Sequence, residues 1–135
     1  MTRKMVKIMK KEIVRSDAAA ETAGPYSQAV KFSNIIYLSG QIPLDPENNE
    51  IVSGGIEIQT ERVLLNIKLI LAAAGSCLDN VLKTTIYLSD MDDFVIVNKV
   101  YEKYFGDNSP ARSTIEAARL PKGAKIEIDA VAFAG

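Results

Sequence analysis

Val81-Leu82-Lys83-Thr84-Thr85-Ile86-Tyr87-Leu88, followed at once by Ser89-Asp90-Met91-Asp92-Asp93, decides the architecture of this chain. The first stretch is rich in β-branched residues, which fit a pleated strand. Asp90, Asp92 and Asp93 then supply an N-cap and first-turn acids, which accept orphan N–H groups and complement the positive start of a helix. Beyond them Phe94, Val97, Tyr101 and Phe105 fall on one helical stripe that ends near Gly106. Asn98, four residues after Phe94 and three before Tyr101, shares that inward stripe. An amide there either bridges backbone groups in the core or lines a ligand pocket.

Upstream, Val63, Ile67, Ile70 and Ala74 recur at helical steps, which predicts a helix over 56–74 with Gly75 as its stop. Leu64, Leu65, Leu69 and Leu71 widen its apolar stripe beyond one edge. Before it, Pro43, Asp45-Pro46, Asn48-Asn49 and Gly54-Gly55 make residues 41–55 one long loop. Residues 10–15 and 28–39 read as strands forming an N-terminal hairpin, with a turn signal at Ser33-Asn34. Downstream, strands over 111–119 and 124–133 flank Leu120-Pro121-Lys122-Gly123, which suits a second hairpin. The order is ββαβαββ, an α+β fold with both helices packed on one face of a mixed sheet.

A chain of 135 residues with 47% hydrophobic and 24% charged residues suits a single domain with a real core. Residues 1–16 form a basic N-terminal tail and first strand, with Arg3, Lys4, Lys7, Lys10, Lys11 and Arg15 against Glu12. Residues 17–135 form the domain proper. The net charge of −1 supplies no field for nucleic acid or an anionic membrane. No apolar run spans a bilayer and no signal-peptide core follows the basic start, so a cytoplasmic protein is expected. The single Cys77 cannot close an intramolecular disulfide and reads as a half-buried structural thiol.

Histidine is absent. That excludes Ser-His-Asp and Cys-His nucleophiles and the His-containing zinc sites of hydrolytic enzymes. No Gly-x-Gly-x-x-Gly, phosphate loop or internal repeat is present, and neither a metal nor a cofactor is expected. Chemistry falls to carboxylates, Arg, Lys, hydroxyls, backbone groups and water.

Strand alternation puts Arg112, Thr114 and Glu116 on one face, and Lys125, Glu127 and Asp129 on a face with Val131 and Phe133, opposite Ile126 and Ile128. If the two strands are neighbours, Arg112 and Glu127 form either a surface ion pair or the two poles of a site. In the second case the planar guanidinium grips a carboxylate through two bonds, while Glu127 manages a water or a proton.

Six ordered motifs resolve the choice by resemblance: Gly24-Pro25-Tyr26-Ser27-Gln28-Ala29, Leu38-Ser39-Gly40-Gln41-Ile42-Pro43, Asp79-Asn80-Val81-Leu82-Lys83-Thr84-Thr85, Val97-Asn98-Lys99-Val100-Tyr101, Pro110-Ala111-Arg112-Ser113, and Leu120-Pro121-Lys122-Gly123 leading to Ile126-Glu127-Ile128. Over residues 17–135 the chain resembles the RidA family, the reactive intermediate deaminases also called YjgF-like proteins. The resemblance implies a chorismate-mutase-like fold and a homotrimer with ligand pockets between subunits, which the broad apolar surface of the first helix would suit. It implies a cofactor-independent 2-iminobutanoate/2-iminopropanoate deaminase, hydrolysing enamine and imine acids such as 2-aminoacrylate to 2-keto acids and ammonia. By the same resemblance Arg112 binds the substrate carboxylate and Glu127 stands near the attacking water. Tyr26, Ser39 and Asn98 match pocket positions, and Tyr87 an aromatic wall.

Thr114 stands where many relatives have cysteine, so no thiol acts there, although its hydroxyl or N–H remains available to a ligand. Asn48-Asn49 and Gly54-Gly55 depart from the family's loop pattern. An imine carbon is electrophilic once its nitrogen is protonated, so Arg112 needs only to orient the acid while Glu127 orients water and relays a proton. Burial would raise the pKa of Glu127 and a nearby Arg112 would lower it. Two other functions stay open: a non-enzymatic module sensing 2-keto acids, and an endoribonuclease or translation inhibitor, which the missing histidines and the charge disfavour.

Overall fold

The computed structural model describes residues 10–135. Arg3, Lys4 and Lys7 of the basic tail lie outside the described residues. Six strands form one sheet: β1 (Lys11–Val14), β2 (Ala29–Phe32), β3 (Ile35–Gln41), β4 (Val81–Leu88), β5 (Ala111–Glu116) and β6 (Ile126–Phe133), in the spatial order β1-β2-β3-β6-β4-β5. Two helices, α1 (Ile56–Ala73) and α2 (Phe94–Phe105), complete the α+β fold. All pairings are antiparallel except β4 with β5, the pair joined by α2. Among the described residues no helix is long and apolar enough to cross a membrane.

The expected order ββαβαββ contains one strand too few. The turn at Ser33-Asn34 divides residues 28–39 into β2 and β3, with Ser33 in the left-handed region at φ 56°. A larger correction concerns the C-terminal hairpin, which does not form. β6 is inserted between β3 and β4, and β5 pairs with the far side of β4. Leu120–Gly123 is therefore a crossover, containing a short 3-10 turn with Lys122 at φ 56°.

The helices form where capping and periodicity place them. The Asp90 side chain accepts the Asp92 N–H at 2.9 Å, which starts the turn leading into α2. α1 ends as Gly75 takes φ 77° and the Ser76 N–H returns to the Leu71 carbonyl at 2.8 Å, a left-handed helix stop that satisfies orphan carbonyls. α1 lies across β3 and β6 with α2 beside it. Val63, Leu64, Ile67, Ile70 and Leu71 meet Ile36, Ile86, Ile126 and Ile128 in the core, all at 0–1% exposure. Each such side chain contributes about 1.5–3 kcal/mol by leaving water.

The wide stripe of α1 is thus largely covered within its own chain. Apolar surface is uncovered on the other face of the sheet, where Ile13, Phe32, Tyr37 and Ile115 are 44–70% exposed, and also at Ile58 and Leu65 of α1 and Val95 and Ile96 of α2. Cys77 is exposed rather than half-buried.

Candidate active site

Register fixes where each predicted side chain points. On β5, Arg112 pairs with Thr84 and Thr114 with Ile86. Thr84 and Ile86 are buried under the helices, so Arg112 and Thr114 face the helical side. On β6, Glu127 pairs with Tyr87 and alternates with the fully buried Ile126 and Ile128, so it points to the opposite face. β4 lies between the two strands. The expected neighbour relation between Arg112 and Glu127, and with it the surface ion pair, is overturned: strand order separates them laterally and side-chain alternation puts them on opposite faces.

Arg112 is held by its own chain. Its Nε donates to Thr114 Oγ1 at 2.9 Å and Nη2 donates to Asn98 Oδ1 at 2.6 Å. The guanidinium carbon lies 5.3 Å from the Phe94 ring centroid and 4.9 Å from that of Tyr101. Flat aromatic faces favour a cation and restrict its tilt. Burial pushes the Tyr101 phenol above its usual pKa, and its oxygen shares a hydrogen bond with Thr84 Oγ1 at 2.7 Å. Of the five guanidinium N–H groups, three stay uncommitted among the described residues, including both on Nη1. They face a shallow cleft of about 320 Å³ lined by Asn98, Tyr101, Glu102, Ser109, Pro110 and Arg112. Asn98 is therefore half-buried at the edge of this cleft and contacts Arg112 rather than backbone groups in the core.

A separate cavity of about 540 Å³ gathers Tyr26, Ser39, Gly40, Ile42, Lys122 and Glu127. Ser39 Oγ donates to the Ser27 carbonyl at 2.6 Å, which ties the loop carrying Tyr26 to β3. The Tyr26 oxygen accepts the Ala23 N–H at 3.2 Å, and the ring is half exposed. Glu127 is half-buried, and burial, reinforced by the negative charge of Asp129, raises its pKa above the ordinary carboxylate value. Such a carboxyl exchanges protons nearer neutrality than a solvated one.

Tyr87 shares the face of Glu127 but lines neither cleft. Its hydroxyl donates to Asp129 Oδ2 at 3.0 Å, and that bond is the main reason its phenol pKa is raised. Thr114 holds Arg112 through its hydroxyl. The sequence reading missed Phe94 as a neighbour of Arg112, although Phe94, Asn98 and Tyr101 recur on one helical stripe. It also gave no role to Lys122, which borders the Glu127 cavity and donates to the Asn49 carbonyl at 3.4 Å. Among the described residues no group of three or more His, Cys, Asp or Glu side chains is arranged to hold a metal ion.

Known proteins carry the same arrangement of elements. A human protein named 2-iminobutanoate/2-iminopropanoate deaminase is 46% identical over 125 residues, covering 93% of this chain and 91% of its own length. The solved yeast protein YEO7 superposes with a TM-score of 0.91 at 42% identity, covering 93% of this chain and all of its own. E. coli TdcF, solved with bound serine, gives a TM-score of 0.87 at 35% identity, over 92% of this chain and 99% of its own. Residues 16–134 match the family described as Endoribonuclease L-PSP. By this match and these relatives, the chain belongs to that family, which comprises the YjgF, RutC and RidA proteins.

Proposed function

We propose that this protein is a cofactor-independent deaminase that hydrolyses small 2-imino acids, the tautomers of enamines such as 2-aminoacrylate, to 2-keto acids and ammonia. The observation that carries the reading is the division of labour between two half-sites: a preoriented guanidinium with uncommitted N–H groups, and a half-buried carboxyl with a raised pKa. A relative named as an imine deaminase and another solved with a bound amino acid support the substrate class.

The half-sites lie on opposite faces of one sheet, so a complete site requires two chains. In the proposed homotrimer, the apolar uncovered sheet face packs between subunits and brings Arg112 of one chain to the Glu127 cavity of the next. Arg112 then holds the substrate carboxylate through paired hydrogen bonds. Protonated Glu127 gives its proton to the imine nitrogen, and the resulting carboxylate takes one from the attacking water as oxygen bonds to the imine carbon. Glu127 passes that proton to the amino group, the C–N bond breaks, and ammonia leaves as the C=O bond forms and the hydroxyl proton passes to the Glu127 carboxylate, which restores the protonated acid. Tyr26 closes one wall, and Ser39 holds the loop that carries it.

The test combines turnover with subunit mixing. Added to a dehydratase reaction that releases 2-aminoacrylate, the protein should accelerate formation of the keto acid, while Arg112→Ala and Glu127→Gln should each retain only a small residual activity. Exchange of subunits between these two variants should restore about a quarter of wild-type activity, because a random assembly gives that share of sites both intact groups. No restoration after demonstrated exchange would exclude a shared site. Saturable 2-keto acid binding without any turnover would make the protein a metabolite-binding module instead.

A further inference from the structure

We infer that Gly40 is a positioning residue: its bare Cα is the seat on which the Glu127 carboxylate rests. The inference rests on the proposed proton-carrying role of Glu127. Between the pairs Leu38↔Ala130 and Gln41↔Ile128, β3 advances three residues while β6 advances two. This bulge sets both Ser39 and Gly40 opposite Asp129 and interrupts the alternation of faces. Leu38 and Gln41 are consequently both buried although three apart, and Gly40 is turned toward Glu127.

A Cβ placed on Gly40 would lie 2.9 Å from the Glu127 carboxyl carbon and 3.2 Å from its Cγ, with Oε2 closer still. Carbon atoms do not pack at such separations, so a methyl group there and the present carboxylate position exclude one another. Backbone conformation does not demand glycine here, because Gly40 is not among the residues with positive φ. What the position requires is the missing side chain.

The yielding partner is Glu127. The backbone beside Gly40 is fixed by the Ser39 hydroxyl on the Ser27 carbonyl at 2.6 Å, by the Ser39 N–H on the Gln28 carbonyl at 2.9 Å, and by β6 on either side of the bulge. Among the described residues no hydrogen bond anchors the Glu127 carboxylate. Packing against Gly40 therefore sets where the carboxylate stands.

Kinetics and melting of the assembled protein test this with Gly40→Ala, Glu127→Gln, Glu127→Ala and the double variants. Gly40→Ala should keep the fold and assembly but lower kcat about 100-fold, as expected for a displaced proton carrier, with KM within about threefold. Added to Glu127→Gln, it should change kcat by less than about twofold, because the two act through one group. The methyl should lower the melting temperature beside Glu127 and have little effect in Glu127→Ala, where the space is vacated. Should Gly40→Ala fail to fold, rescue by Glu127→Ala supports the seat, and failure of both overturns it. Near-wild-type turnover by Gly40→Ala, or equal loss of melting temperature in both backgrounds, also overturns it. Wild-type turnover by Glu127→Gln would instead remove the parent role of Glu127, with the melting comparison still reporting the packing.

Discussion

Thr114 and Asn98 take up Nε and Nη2 of Arg112, while Phe94 and Tyr101 limit its tilt. Thr114→Val keeps the volume and removes the acceptor. It should raise KM for the imine acid about tenfold with kcat within about threefold, measured by steady-state kinetics. Glu127 calls for a different measurement. Its folded pKa lies above the ordinary carboxylate value and the proposed cycle starts from its protonated form, so the rate should fall as pH rises and Glu127 loses its proton, a limb that the residual turnover of Glu127→Gln should lack. For stability the sign is opposite to that of a salt-bridged acid. The contribution is present below the ordinary carboxylate pKa and is lost as pH rises through the raised value. Glu127→Gln should therefore melt higher than wild type at about pH 8 and equally at about pH 3. Arg112 and Asn98 were legible because their motifs stand out along the chain. The contact between Gly40 and Glu127 was not, because it depends on a bulge and on the pairing of distant strands.

Local signals located the elements well. Asp90 caps the turn before α2 as its spacing implies, and Asp90→Ala should destabilise the protein by about 1 kcal/mol in denaturant unfolding. α1 ends one residue before the expected limit, at Ala73. Pairing was less legible. Pro121 and Gly123 are residues of a hairpin turn, yet the same chemistry suits a crossover, and the choice is made by the partners available to β6. Ile126, Ile128, Ala130 and Ala132 bury one face of β6 completely, which a central strand achieves and an edge strand beside β5 would not. Thus the sequence period revealed which side chains share a face without revealing which strand lies alongside.

At the scale of the whole molecule, the sheet has one face under α1 and α2 and another that presents Ile13, Phe32, Tyr37 and Ile115. In the proposed homotrimer this is the face that packs between chains, since exposed apolar patches of this kind suit association. Tyr37→Glu should leave circular dichroism unchanged, reduce the assembly to monomers by light scattering and remove activity, because each chain alone holds two unmatched half-sites. The exposed position of Cys77 has a practical consequence for observing this. It is the chain's only thiol, and it lines neither the Arg112 cleft nor the Glu127 cavity. Donor and acceptor dyes attached there by maleimide chemistry would turn an encounter between chains into an optical signal, so the lifetime of the assembly becomes readable in real time without altering either half-site.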